Sequence, residues 1–225
     1  MSNTIELMCG PSNNEKLLSV SIPENDNPLN KILVGFTGGL DSAFLLYLLT
    51  QLNSTQTIPY VIEPVIITGY NIFEQLEYVP AIINYINIKN NHSMSPVTIV
   101  STLTDRKTEL ISGYITALKS SSYVKFLYLG ASLIPRNAPP AGYARNFPTI
   151  SKKLIQPFKN LDKTHIIDAM IKLNLEDLID IAPRCTVTHK YGNEACLNYF
   201  CTERRWAYSI LNRLDLTNKF IGKDT

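Results

Sequence analysis

ILVGFTGGLDSAFLLYLLTQL, residues 32–52, decides how the rest of the chain is read. ILVGF (32–36) is a short apolar run rich in branched residues, the pattern of a strand buried on both faces. SAFLLYLLTQL (42–52) is too long for a strand and apolar on every side, so it reads as a buried helix. Between them lies a turn holding Gly38 and Gly39. A strand, a glycine turn and a helix make an anion site. Amide groups at the turn and the helix start point outward, and the helix dipole adds a partial positive charge. Glycines let the main chain approach a ligand without a Cβ in the way. The hydroxyls of Thr37 and Ser42 are placed to donate to phosphate oxygens. The stretch has neither the G-x-x-x-x-G-K spacing of the P-loop nor the G-x-G-x-x-G of dinucleotide folds.

Outward from this stretch, strands and helices alternate. VIEPVIIT (61–68), VTIVS (97–101) and VKFLYLGA (124–131) read as strands. In 72–88, Ile72, Leu76, Val79, Ile83 and Ile86 recur on one helix face. DRKTELISGYITALK (105–119) predicts a helix with Leu110, Tyr114, Ile115 and Leu118 inward. Repeated units of this size imply an α/β fold, a doubly wound, mostly parallel sheet covered by helices. THIIDAMIKLN (164–174) and TERRWAYSILNRL (202–214) are two further helices. Trp206, Tyr208, Ile210 and Leu211 form the packing face of the second. At the other end, TIELM and LLSVSI flank GPSNNEK, which predicts a β-hairpin. The segments expected are a hairpin extension (1–30), a nucleotide-binding domain (31–160) and a C-terminal helical segment (161–225). The proline-rich stretch 132–150 follows a strand's carboxyl end, where ligands bind in such sheets.

With 225 residues, 45% hydrophobic and 18% charged, the chain is long enough for a full core and is not of disordered composition. A formal net charge of +2 argues against a large nucleic-acid footprint. MSNTIELMCGPSNN lacks the pattern of a signal peptide, and no window is apolar enough to span a membrane. A cytoplasmic protein is expected. His92 and His165 read as surface residues, and Arg136 and Arg145 as solvated loop residues or phosphate contacts.

Cys9 stands alone, whereas Cys185, Cys196 and Cys201 crowd together with His189. Three thiols and an imidazole are a tetrahedral Zn2+ set of the structural kind. The alternative is reduced cysteines packed in a small core. Asn198, His165 or water is an alternative fourth ligand to His189.

TGGLDS after a buried strand resembles the SGGxDS loop of the PP-loop ATP pyrophosphatases, with Thr37 keeping the hydroxyl of the first serine. The resemblance implies that Phe36 through Ser42 and Gly130 hold ATP, and that Asp41 helps to position Mg2+ or the loop. Within that superfamily the chain is most similar to the 7-cyano-7-deazaguanine synthases. Cys201-Thr-Glu-Arg204 matches the end of their zinc motif, Cys185 its beginning, and IQPFKNLDKTHII puts Lys163 where their lysine approaches the ATP phosphates. Gly142, Tyr143 and Tyr70 match parts of the substrate loops, while the Asp-Cys-Arg of the family is missing. The family implies a reaction of 7-carboxy-7-deazaguanine, ammonia and ATP that gives a nitrile, with Asp41, Ser42 and Lys163 in catalytic roles.

Three alternatives stand beside it. One is a relative that adenylates another substrate, in attaching a deazaguanine to a macromolecule or modifying viral DNA. Another is a tRNA-modifying enzyme, which the charge disfavours. The last is an ATP-binding subunit without turnover. A homodimer is compatible with all of them.

Overall fold

The computed structural model describes residues 3–68, 78–94, 96–101, 106–134, 151–182 and 199–218. Its centre is a five-stranded parallel sheet. The strands are β3 (Lys31–Gly35), β4 (Val61–Thr68), β5 (Thr98–Ser101), β6 (Val124–Leu129) and β7 (Leu154–Ile155), in spatial order β5-β4-β3-β6-β7. From β3 the chain steps outward to β4 and β5, then returns across the sheet to β6 on the far side of β3. That reversal splits the carboxyl ends of β3 and β6, the place where open α/β sheets bind ligands.

Alternation along the strands divides the core between two faces. Ile32 and Val34 of β3, Ile62 and Ile66 of β4, and Tyr128 of β6 point one way. Leu33, Val65, Leu127 and Leu129 point the other, against Tyr114, Ala117 and Leu118 of helix α3 (Arg106–Lys119). The first face meets α1 (Leu40–Asn53) and α2 (Val79–Asn90). Helices on both faces make the fold a doubly wound α/β sheet. The side chain of Leu110 and residues 72–77 lie outside the described set, so the helix predicted over 72–88 is described from Val79 onward.

Pro64 sits inside β4 without breaking it. Val61 donates to Asn30 O and Val65 accepts from the Phe36 amide, at the two ends of β3, so Pro64 turns its missing donor toward β5, where pairing begins only at Val65.

Helix α1 is buried almost throughout, as its all-round apolar sequence requires. The sheet covers one side. The hairpin of β1 (Asn3–Cys9) and β2 (Lys16–Ile22) covers another, placing Cys9, Leu18, Val20 and Ile22 in the same core cluster. The two fully buried polar side chains of α1, Thr50 and Asn53, are bonded: Thr50 Oγ1 donates to the main chain of its own helix and accepts from Asn90, and Asn53 exchanges hydrogen bonds with Tyr60. Burial, with the Asp168 carboxylate nearby, pushes the Cys9 thiol up to about 11, so it packs as an inert hydrophobe.

Among the described residues, four helices follow β7: α4 (Lys163–Lys172), α5 (Glu176–Ile181), α6 (Tyr199–Ile210) and α7 (Asp215–Asn218). Alpha-6 packs on α4, with Ala207 and Tyr208 buried in the core, while Ile210, predicted inward, is exposed. Two residues on from Tyr208, it is turned about 200° around the helix from that buried side chain. Among the described residues, no helix is long and apolar enough to cross a membrane.

Candidate active site

The predicted glycine turn lies at the carboxyl end of β3, in the split between β3 and β6. Phe36 is buried, and its amide donates to Val65 O at 2.9 Å, anchoring the turn to the sheet. Gly38 has φ +73, a conformation that disfavours a side chain. Gly39 is the N-cap of α1, which begins at Leu40, earlier than the Ser42 start predicted, and without a side-chain cap. Its carbonyl accepts the first intrahelical bond, from Ala43.

Thr37 and Ser42 are joined directly. The Thr37 amide donates to Ser42 Oγ at 3.2 Å, the Gly39 amide donates to Thr37 Oγ1 at 3.3 Å, and the Ser42 hydroxyl donates to Gly39 O at 2.9 Å. With the Ser42 proton committed there, the 3.2 Å contact between the two hydroxyls is a bond from Thr37 to Ser42. The loop therefore holds its own shape, and its amides bond weakly at long distances. An oxyanion makes stronger bonds with such donors than a hydroxyl does.

Asp41, on the first turn of α1, is where three segments meet. Lys163 Nζ donates to one carboxylate oxygen and Ser132 Oγ donates to the other at 2.8 Å. The Lys163 and Asp41 side chains are 8% and 12% exposed, so this ion pair stands largely out of water. Sequence reasoning placed Asp41 and Lys163 in the site but missed Ser132. The available signal was position: Ser132 comes two residues after Gly130, at a strand end facing the turn.

Gly130 is required for the approach of these segments. A Cβ there would lie 2.6 Å from Asp41 O and 3.0 Å from Ser42 N, inside the helix backbone. Beyond it, the Leu133 amide donates to Leu161 O at 2.6 Å, lacing the β6 exit to the approach of α4.

Helix α4 starts with a strong cap. Asp162 Oδ1 accepts from the Thr164 amide at 2.9 Å and from the Thr164 hydroxyl, completing a capping box with His165. Burial alone raises the Asp162 carboxyl. The hydrogen bonds that the Asp162 carboxylate accepts, those from the Thr164 amide and hydroxyl among them, outweigh that and hold it below its ordinary value. Lys163 is therefore the first residue of a rigidly started helix. His165, predicted on the surface, is fully buried. The capping box and the hairpin enclose it, which no local pattern announces.

Cys201 lies within α6, and Cys185, His189 and Cys196 lie outside the described residues. So do Tyr70, Arg136, Gly142, Tyr143, Arg145 and Asn198. Among the described residues, no cluster of three His, Cys, Asp or Glu side chains is present. Arg204 of α6 is buried, and among the described residues its Nη1 has no hydrogen-bond partner. A groove of about 330 Å³ lies between β1 and the far end of α1, lined by Asn3, Thr4 and Gln51, away from the glycine turn.

No family model matches the chain, and no curated protein matches its sequence. Among solved structures, the U34-tRNA thiolase NcsA from Methanococcus maripaludis, solved with its 4Fe–4S cluster, is similar over 87% of this chain and 71% of its own. The identity is 13% and the TM-score 0.43.

Proposed function

We propose that the chain is an ATP-dependent enzyme that forms AMP and pyrophosphate while activating a carboxylate or amide for nitrogen insertion. The observation that carries this reading is the convergence of Lys163 and Ser132 on Asp41 beside the glycine turn. A lysine ammonium, an acidic oxygen donor, a hydroxyl pair and a helix start are gathered at one strand switch. That is the chemistry a polyphosphate and its counter-ion require.

In this reading the amides of Thr37–Ser42 and the two hydroxyls cradle the β- and γ-phosphates. Lys163, held on Asp41, exchanges part of its ion pair for a phosphate oxygen and offsets the charge that builds on departing pyrophosphate. Magnesium, when bound, neutralises phosphate charge, and Asp41 supplies the oxygen ligand that suits it. A substrate carboxylate oxygen attacks the α-phosphorus, and the bond to the β-phosphate oxygen breaks. Ammonia then attacks the acyl carbon, a proton is lost, and AMP leaves to give an amide. A second ATP activates the amide oxygen, and loss of AMP and a proton gives the nitrile. The chain contributes positioning and charge, with no side-chain nucleophile.

The similarity of TGGLDS, Lys163 and Cys201–Arg204 to the deazaguanine synthases makes 7-carboxy-7-deazaguanine the first acceptor to test. The donor chemistry of Cys185, His189, Cys196 and Cys201 fits a structural zinc ion that ties down the C-terminal segment. The test is incubation with Mg-ATP, ammonium and that base, following AMP and the mass of the base. AMP with a nitrile supports the full reading. AMP with an unchanged base retains the ATP chemistry and rejects the acceptor. No AMP with this base or with a panel of carboxylates and amides overturns an enzymatic role.

A further inference from the structure

Helix α4 carries residues that face two different places. Lys163 reaches Asp41 at the glycine turn, whereas His165, Asp168 and Lys172 share the stripe that faces the N-terminal hairpin. Each member of that stripe bonds the hairpin main chain. His165 Nε2 lies 2.8 Å from Asn14 O; a carbonyl only accepts, so Nε2 carries the proton and donates. The Gly10 amide donates to Asp168 Oδ2 at 2.8 Å, and Lys172 Nζ donates to Met8 O at 3.0 Å. The contact at the first turn is the tightest. A Cβ on Gly10, whose φ is +110, would lie 2.5 Å from His165 Cδ2.

The other ring nitrogen lies inside the helix cap. Nδ1 is 2.8 Å from Asp162 Oδ1 and 3.3 Å from the Asp162 amide. One fully buried imidazole thus links the hairpin turn to the residue that caps α4, immediately before Lys163. The separation in sequence between His165 and Asn14 is 151 residues, so this tether is purely tertiary.

We infer that His165 is a positioning residue for the site, and that the hairpin belongs to the catalytic scaffold through it. The ring clamps the first turn of α4 between the Asn14 carbonyl and Asp162. The clamp sets where the Lys163 ammonium stands relative to Asp41 and any phosphate beside it. This rests on Lys163 acting as proposed above. Its physical content, that His165 holds Lys163 in its buried pair, is measurable without ATP.

The experiment is a lysine-acylation time course read by mass spectrometry on intact folded protein, with Lys31 and Lys153 as internal references. His165→Leu removes both ring contacts. His165→Gln keeps a donor that reaches Asn14 O. His165→Asn keeps only the nearer, cap-side contact. The expected result is Lys163 acylation at least about tenfold faster in the Leu variant, with the references unchanged and the Gln variant close to wild type. Should His165→Leu fail to fold, faster acylation in Asn than in Gln supports the same conclusion. Lys163 acylation within about twofold of wild type in every folded variant overturns it, as does a uniform rise at all lysines. Where AMP formation is measurable, His165→Leu lowers kcat, referred to the folded fraction of the same preparation, by about a hundredfold while the KM for ATP moves far less. If wild-type protein makes no AMP, the enzymatic reading fails and the acylation rates still decide this one.

Discussion

Among the described residues, two turns hold a glycine at positive φ, Gly38 at +73 and Gly10 at +110; the start of α4 meets the second through His165, and meets Asp41, just after the first, through Lys163. Lys163 and His165 are two residues apart, about 200° around the helix, so one turns to the glycine loop and the other to the hairpin. The glycine loop is bonded by its own hydroxyls, with Thr37 exposed. The hairpin turn is pressed onto a buried ring. One turn keeps its donors where a ligand can take them, and the other has spent its polar groups on the fold. A glycine turn is a candidate site when its amides bond weakly to replaceable partners, and a structural joint when they end on buried side chains.

The sharpest way to break this contrast is Lys163→Met. It leaves Asp41 largely buried without its cation. Removing one partner of such a pair costs roughly 3–5 kcal/mol, and AMP formation should fall by about a hundredfold or more. Denaturant unfolding and product analysis on the same preparation separate the two effects. Full activity in this variant would remove the loop from the chemistry.

Gly130→Ala tests the loop side by packing alone. The added methyl meets helix backbone that cannot step aside, so a loss of about 1–3 kcal/mol is expected, together with weaker ATP binding by calorimetry. Gly10→Ala tests the hairpin side. Its strain and its clash with His165 should cost a similar 1–3 kcal/mol or so, with Lys163 acylation accelerated as well. If Gly10→Ala leaves Lys163 protected, the two turns are independent and the contrast loses its shared helix.

A gentler probe is pH. The Asp162 carboxyl is held below its ordinary value in the folded chain, so its contribution is complete above the unfolded value and is lost as pH falls through the folded one. Asp162→Asn should be less stable near neutrality, and should lose less further stability than wild type between about pH 5 and pH 2. Parallel loss in both proteins would show that the cap is not linked to protons. The smallest effect expected is that of Tyr128→Phe. The Tyr128 hydroxyl donates to Ser21 O at 2.7 Å, and its removal should cost about 1 kcal/mol by thermal unfolding while acylation of Lys163 stays unchanged.

How much of this was legible in the sequence follows the range of the contacts. The β3–turn–α1 unit was readable because periodicity, glycines and hydroxyls lie within one short stretch, and the alternation of strands and helices was enough for the fold class. The β7 strand and α5 were not, being too short to show a period. Ser132 bonds Asp41 across 91 residues, and His165 reaches Asn14 across 151. A serine after a strand or a histidine in a helix looks alike whether it faces solvent or closes a site. Ile210 misled for the opposite reason: its local pattern was apolar, and only the placement of α6 on α4 decided which face turned inward.

The three hydrogen bonds between α4 and the hairpin all end on hairpin main chain: Met8 O, Gly10 N and Asn14 O. Apart from a 3.7 Å ion pair between Lys172 and Glu15, the joint is written in backbone and is indifferent to spelling. Ser12, Asn13 and Asn14 expose their side chains, so homologous chains are free to exchange these letters while retaining the joint. What they are not free to change is the number of residues from Gly10 to Asn14, because one insertion moves the carbonyl that His165 holds. In an alignment, this region will show as a stretch of fixed length and drifting composition, a mark that conservation scores pass over.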